Sequence, residues 1–528
     1  MDLASQLLVC LAVAAGCAGI TRRIPLPLPL VQTVAGAALA WPLGMNLPLD
    51  PHAFLLLLIP PLLYLDGARI PKRAFRENRK AIMMMAFGLV VLTVLSVGML
   101  IDYLVEPIPR PVAFAIAAAL SPTDAVAVAG MTGRVVVPPR LMTILQGEAL
   151  FNDASGLVSM RVAVAAMLTG AFSWAHAIGS FFFVAIGGVA VGIAMTWLFV
   201  RALRLLLGTA EGDTGPRILM MLVFPYAAYL AAEHFELSGI LAAVAAGMVS
   251  VRFQVVDHGH RATRLQSAAV NHAIETALNG LVFVLLGLQL PTIGMQVDAI
   301  ARDAALSHLQ LAGTVAAIIG ALVAVRFAWV WVSLHIALRR ARQHGDVLPP
   351  RRGPALRLVA ATALAGVRGA VTLAAALTLP LTMDDGSKFP AREVAIFLCA
   401  VVIVVWLIAA SLGLPILLRN VQLPDDHTGD EHLRIRSALA RAAIAELEQQ
   451  PPSVAVDQLL ERYRARLIDP TDSTDRPQLE RELRLVGMAA ERTALRDLFA
   501  AKQIGEEMHY RITHELDLIE EAISPPPH

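Results

Sequence analysis

Long apolar runs recur along most of the chain, and only short polar segments separate them. Thirteen runs approach the length that a helix needs to cross a hydrocarbon core of about 30 Å. They lie near residues 3–20, 26–45, 51–67, 81–101, 111–131, 141–168, 177–200, 218–233, 236–251, 272–290, 308–336, 358–380 and 393–417. The pattern predicts an all-α, polytopic membrane domain at residues 1–418.

Charge density rises sharply in the remainder of the chain, residues 419–528. Apolar residues recur there every three or four positions, which indicates amphipathic helices interrupted at Pro451-Pro452 and at 469–477. We expect a small helical domain outside the membrane. It either packs on itself or on a second copy, or it has a regulatory or partner-binding role. The sequence leaves both interpretations open.

Composition agrees with a membrane protein. The chain has 528 residues, of which 57% are hydrophobic and 16% charged, whereas soluble domains carry about 25% charged residues. All three cysteines lie in apolar runs, so no disulfide framework is predicted. At the N-terminus the basic residues Arg22 and Arg23 follow the first apolar run instead of preceding it. This order favours a retained first helix over a cleaved signal peptide.

Lysine and arginine are distributed unevenly between the predicted loops. With the N-terminus outside, the inner loops hold 22 of these residues and the outer loops hold four, namely Arg110, Arg302, Lys388 and Arg392. Because cytoplasmic loops carry an excess of Lys and Arg, this orientation is favoured. It predicts a protein of the plasma (inner) membrane with its tail in the cytoplasm.

The sixth span carries polar residues in a register that aligns them. Glu148, Asn152, Ser155 and Ser159 step by four, three and four, and therefore share one helical face. Asp153 lies at the edge of this stripe, roughly 18 Å along the helix and near the middle of the membrane. Ionisable groups at this depth are costly, so each predicts a partner or a water-filled path.

The fifth span contains Ser-Pro-Thr-Asp at 121–124. Pro122 removes a backbone donor and disturbs the preceding turn. The freed carbonyls and the Thr123 hydroxyl are oxygen ligands of the kind that hold a small cation at a broken helix. Asp124 either contributes charge to this site or caps the second half of the helix.

The twelfth span holds Arg368 between Gly366 and Gly369, which loosen the helix. A buried guanidinium needs a carboxylate, and we expect Glu148 to supply it. The disturbed spans, five and twelve, occupy corresponding positions in two halves of the chain. This arrangement is typical of a secondary transporter built from inverted repeats, with its binding site near the midplane.

Three segments, SPTDAVAV at 121–128, GEALFNDASG at 147–156 and AGVRGAV at 365–371, together resemble signature sequences of the monovalent cation–proton antiporters, the sodium/proton exchanger family. The resemblance covers residues 1–418. It implies a homodimer that exchanges Na⁺, Li⁺ or K⁺ for protons by alternating access. We expect no cofactor, no nucleic-acid partner and no enzymatic activity.

By position, the resemblance implies that Asp153 is the carboxylate that holds either the cation or the proton. Asn152 resembles the asparagine that marks electroneutral members. Further positions that resemble the ion site are Thr123, Asp124, Ser155 and Asp66, of which the first three would join Asp153 as Na⁺ ligands. Glu148 and Arg368 resemble a structural ion pair between helices six and twelve.

Other functions compete with this interpretation. A K⁺/H⁺ antiporter would have the same fold and the same oxygen ligands. An intramembrane aspartyl protease would use Asp124 and Asp153 as a catalytic dyad. Such proteases resemble a pattern with YD and GxGD motifs, and the chain has TDA and FND at these aspartates instead. A cation channel needs a continuous polar path, and one polar seam with broken helices fits a single-occupancy site better.

Overall fold

The structure of the chain is a computed structural model. It describes residues 3–419 except for short gaps at 22, 24–25, 42–43, 46–50, 71, 126, 129–138, 171–173, 208–213, 251–260, 305, 345–351 and 384. Of the tail it describes part of 441–464, five residues of 491–496, and residue 516.

The described part of the membrane region is helical, apart from turns and an isolated bridge between Thr382 and Lys388. Its helices are α1 Leu3–Thr21, α2 Leu28–Ala40, α3 Pro51–Arg69, α4 Lys72–Met83, α5 Val90–Leu104, α6 Arg110–Ala119, α7 Pro139–Thr169, α8 Trp174–Leu207, α9 Thr214–His234, α10 Gly239–Ser250, α11 Arg261–Met295, α12 Val297–Asp303, α13 His308–His344, α14 Arg352–Leu364, α15 Ala370–Leu377 and α16 Arg392–Leu418. A π-helical segment, Met84–Leu89, joins α4 to α5.

Within the described residues, each of the thirteen predicted spans overlaps a helix or two consecutive helices. Among the described residues, seven helices are long and apolar enough to cross a membrane. The all-α membrane fold is therefore confirmed, while the number of thirteen crossings and the inverted-repeat symmetry stay predictions. The least separated spans, eight and nine, correspond to α9 and α10, which a short turn divides.

Several helix pairs pack at unusually short range because a glycine of one helix faces the backbone of the other. An added Cβ at Gly36 of α2 would meet the Val284 carbonyl of α11, and one at Gly287 of α11 would meet the Thr33 carbonyl. Gly67 of α3 approaches the backbone of α10 in the same manner. Small residues permit such contacts between membrane helices. The second contact fixes α3 next to α10 and so positions Asp66, one residue before Gly67.

Burial varies strongly between the membrane helices. The α16 span is 72% buried, whereas the span Ala4–Thr21 of α1 is 17% buried. The largest group of buried apolar side chains includes residues of α6, α11 and α16. The hydrophobic core of the bundle therefore surrounds α16, and α1 lies at the periphery.

The chain divides into two compact units, Met1–Gln422 and Leu423–His528. In the second unit the described residues are mainly helical, and Leu460, Leu495 and Leu516 are buried. Arg464 forms an ion pair with Glu448 at 2.7 Å. The interruption predicted at residues 469–477 lies outside the described residues.

Candidate functional site

Two membrane helices are interrupted, and their non-helical segments meet. Helix α6 ends at Ala119, and helical backbone resumes at Ala125. Helix α14 ends at Leu364, and α15 begins only at Ala370. The Asp124 backbone N–H donates to the Val367 carbonyl at 2.7 Å, so a backbone donor of one break is paired with a backbone acceptor of the other. The prediction of broken helices in the fifth and twelfth spans is therefore confirmed.

Gly369 allows the two interrupted helices to come this close. A Cβ added at Gly369 would lie 2.7 Å from the Asp124 Cβ and would overlap the Asp124 carboxylate. The Asp124 Oδ1 accepts a hydrogen bond from the Ala127 N–H at 3.0 Å, which is the geometry of a helix cap. Asp124 thus begins the second half of the fifth span and remains close to the twelfth.

The place where the two interrupted helices meet is called the crossing below. Four acidic or hydroxyl side chains predicted for the ion site line one cavity of about 210 Å³ beside it. They are Asp153 of α7, Asp66 of α3, and Thr123 and Asp124 of the first break. Asp153 is only 7% exposed. The carboxylates and the hydroxyl supply hard oxygen atoms, the donor type that alkali cations prefer. The arrangement can hold a cation or, at a carboxylate, a proton.

The cavity reaches the end of the bundle at which α3 ends and α7 begins. Arg69 and Glu275 line it there and form an ion pair, with side chains 48% and 15% exposed. Gln146 of α7 and Asn279 of α11 also line the cavity and add neutral polar groups to it. The sequence-based reasoning did not identify Arg69 and Glu275 as site residues, because both fall at span ends, where charged residues are ordinary.

Asn152 and Ser155 lie behind the cavity wall. The Asn152 Nδ2 donates to the Thr123 Oγ1 at 2.7 Å, so Asn152 orients a lining residue without lining the cavity. The Ser155 hydroxyl donates to the carbonyls of Ala86, at 2.6 Å, and Phe151, at 2.8 Å. The π-helical segment contributes the first of these carbonyls. Ser155 is therefore not brought to the cavity with the other predicted ligands.

The predicted ion pair between Glu148 and Arg368 is wrong in its basic partner. Glu148 binds Arg326 of α13 through both carboxylate oxygens, and the Nη2–Oε2 distance is 2.7 Å. Both side chains are almost fully buried. Arg326 Nε also donates to the Thr362 carbonyl at 3.1 Å. Gly366 leaves the room for this guanidinium, since an added Cβ would lie 2.7 Å from the Arg326 Cδ.

Arg368 instead satisfies the backbone of the first break. Its Nη1 donates to the carbonyls of Ser121, at 2.5 Å, and Pro122, at 3.0 Å. These carbonyls lie in the non-helical segment that follows the end of α6. The guanidinium also lies over the Trp406 ring, 5.2 Å from its centroid. Arg368 therefore links the two interrupted helices by a different contact from the one predicted.

Arg161, which the sequence left without a partner, pairs with Glu233 at the end of α9. The Nη2–Oε2 distance is 3.1 Å. Glu233 also accepts a hydrogen bond from the Gly239 N–H, at 3.2 Å, at the start of α10. The pair connects the helix that carries Asp153 to the turn between α9 and α10.

A family model for the transmembrane sodium/hydrogen exchangers matches residues 9–420. The uncharacterized Na(+)/H(+) exchanger YjcE of Escherichia coli (strain K12) is 40% identical and covers 95% of each chain. A sodium, potassium, lithium and rubidium/H(+) antiporter of Bacillus pumilus (strain SAFR-032) is 37% identical over 98% of this chain and 78% of its own. The sodium proton antiporter MjNhaP1 from Methanocaldococcus jannaschii has a similar fold. Its TM-score is 0.59 at 15% identity, over 79% of this chain and 98% of that one. With a family match over most of its membrane region, the chain belongs to the sodium/hydrogen exchanger family.

Proposed function

We propose that the protein is a secondary antiporter that exchanges Na⁺ for H⁺ at the cavity beside the helix crossing. One observation carries this proposal: Asp153, almost fully buried, lines the cavity together with Asp124 and Thr123. A carboxylate at this depth can be neutralised by a proton or by a cation, but not by both together. Competition for one site couples the two fluxes.

The residues have distinct roles in this proposal. Asp153 carries the exchangeable charge, while Asp124, Thr123 and Asp66 contribute oxygen atoms around the cation. Asn152 acts on the site through its hydrogen bond to Thr123. Ser155 acts through the packing of α7 on the π-helical segment.

Na⁺ is the proposed main substrate, with Li⁺ and K⁺ as further candidates. The family model is that of sodium/hydrogen exchangers, and the Bacillus relative is named for sodium, potassium, lithium and rubidium. An antiporter dedicated to K⁺ is the weaker alternative. The protease and channel interpretations lose their support, because the chain belongs to a transporter family.

The placement in the cell is part of the same proposal. With the N-terminus outside the plasma (inner) membrane, the ends of α3 and α11 that bear Arg69 and Glu275 face the cytoplasm. The cavity would then be open to the inside. Alternating access would expose the same carboxylates to the other side, and we propose that the protein acts as a homodimer.

The test uses inside-out membrane vesicles with an acidic interior. Na⁺, Li⁺ or K⁺ is added, and the interior pH is followed for the wild type and for Asp153→Asn. We expect cation-dependent alkalinisation in the wild type and none in the variant. Glu393→Gln, which changes an exposed carboxylate at the start of α16, serves as the matched control. No cation-dependent change in folded wild type, across roughly pH 6 to 9, would overturn the proposal.

A further inference from the structure

Thr372 is a buried threonine of the cavity wall that has no hydrogen-bond partner. It lies in the first turn of α15, and its side chain is fully buried. Its Oγ1 is one of five buried side-chain polar atoms without a partner in the described part of the chain. Of the residues that carry these atoms, Thr372 is the one that lines the cavity. Buried polar groups are almost always paired, so this exception needs an explanation.

The break before α15 explains why the hydroxyl is unpaired. Other buried threonines in membrane helices donate to the carbonyl four residues earlier, as Thr196 does to Gly192 and Thr362 to Leu358, at 2.8 and 2.7 Å. For Thr372 that position is Arg368, which belongs to the non-helical segment. The interrupted helix therefore leaves this hydroxyl without its usual acceptor, in a residue of the cavity wall.

A free hydroxyl has two lone pairs and one proton to offer. Thr372 belongs to a cavity wall that also includes the carboxylates of Asp153, Asp124 and Asp66 and the hydroxyl of Thr123. A cation that loses its water on binding needs several oxygen atoms in place of its hydration shell. Thr372 is the lining residue of the second broken helix that can supply a side-chain oxygen.

We infer that the Thr372 hydroxyl is a direct ligand of the transported cation, resting on the proposed antiport function. The first broken helix contributes Thr123 and Asp124, and the second contributes Thr372, so the cation is held between both halves of the crossing. Loss of this one ligand weakens cation binding and leaves the exchangeable carboxylate in place.

The experiment compares Thr372→Val, which has the shape of threonine without its hydroxyl, with Thr372→Ser, which keeps the hydroxyl. Thr196→Val is the matched control, because Thr196 is equally buried but lies in α8 away from the cavity. KM and maximal rate for Na⁺ are measured in inside-out vesicles at one fixed pH. Stabilisation of the purified full chain by Na⁺ against heat reports binding without transport.

For Thr372→Val we expect KM to rise roughly tenfold, which corresponds to about 1.4 kcal/mol of binding. The Na⁺-induced thermal shift should fall in parallel. Thr372→Ser and Thr196→Val should keep the wild-type KM within about twofold. If Thr372→Val does not fold, Thr372→Cys replaces it and should raise KM in the same way, since sulfur is a poor ligand for alkali cations.

The inference is overturned if Thr372→Val, or Thr372→Cys in its place, keeps both the KM and the Na⁺-induced shift of the wild type. If Thr372→Val has a higher melting temperature than the wild type without Na⁺ and binds Na⁺ equally well, Thr372 is an unpaired buried group that does not bind the cation. Failure of the antiport proposal looks different, because the wild type itself would then show no cation-dependent exchange.

Discussion

Glu148 and Arg326 form a bidentate ion pair in the interior of the membrane bundle, and this pair joins α7 to α13. Glu148 lies on the helix that carries Asp153, and both side chains of the pair are at most 2% exposed. A third hydrogen bond, from Arg326 Nε to the Thr362 carbonyl, ties α14 to the same point. The pair therefore fixes the position of α7 relative to the second broken helix.

Removing one member of this pair should destabilise the protein. Glu148→Gln leaves a buried guanidinium without its counter-charge, and we expect a cost of about 3–5 kcal/mol. The measurement is the unfolding temperature of the purified protein. Glu393→Gln disturbs a surface pair with Arg392 and should cost less than about 1 kcal/mol. Equal unfolding temperatures for the two variants would show that the buried pair does not hold α7.

The crossing of the two broken helices should tolerate no side chain at position 369. In Gly369→Ala the new Cβ overlaps Asp124, so the contact between the breaks must open and exchange should be lost. Transport in vesicles, at matched amounts of protein in the membrane, is the readout. Gly313→Ala in α13 is the control, because its Cβ meets no atom within 4 Å. Wild-type exchange in Gly369→Ala would contradict the assigned role of the crossing.

The ion pair at the cavity end predicts two charge effects of opposite sign. Glu275→Gln leaves Arg69 as an uncompensated cation, so KM for Na⁺ should rise roughly two- to fivefold. Arg69→Gln leaves Glu275 as an uncompensated anion, and KM should fall. Both shifts should shrink as the ionic strength increases, because salt screens exposed charges. KM values that move in the same direction in both variants would indicate a structural role for the pair instead.

The neutral residue that precedes Asp153 in the chain predicts the charge carried per cycle. Asn152 is neutral, so exchange of one proton for one cation at Asp153 should move no net charge. Purified protein in liposomes should give no sustained current after a Na⁺ step on a solid-supported membrane. Asn152→Asp adds a further ionisable group next to Asp153, behind the cavity wall, and should make the exchange electrogenic. A sustained, Na⁺-dependent current in the wild type would exclude the one-for-one stoichiometry.

Local sequence predicted much of the fold because its signals act within a few residues. Apolar runs long enough to cross a membrane locate the helices along the chain, whatever their position in the bundle. Pro122 disturbs a helix through its missing N–H, and the glycines at 366 and 369 loosen one through their own backbone. The same local reasoning singled out Asp153 and Asp124, since a carboxylate inside an apolar run is anomalous without any knowledge of its neighbours.

Contacts between distant segments were decided only by the tertiary structure. Arg326 and Arg368 are both buried arginines in apolar runs, and the sequence gives no means of ranking them as partners of Glu148. The choice depends on which helix lies beside α7 and on where Gly366 leaves room. Thr372 is an ordinary residue type. It becomes distinctive only because the residue four positions earlier is not helical and because Thr372 lines the same cavity as Asp153. The sequence by itself determined where the apolar helices lie and where two of them break. Which side chains meet was decided by packing, because partners some 180 residues apart leave no periodic trace along the chain.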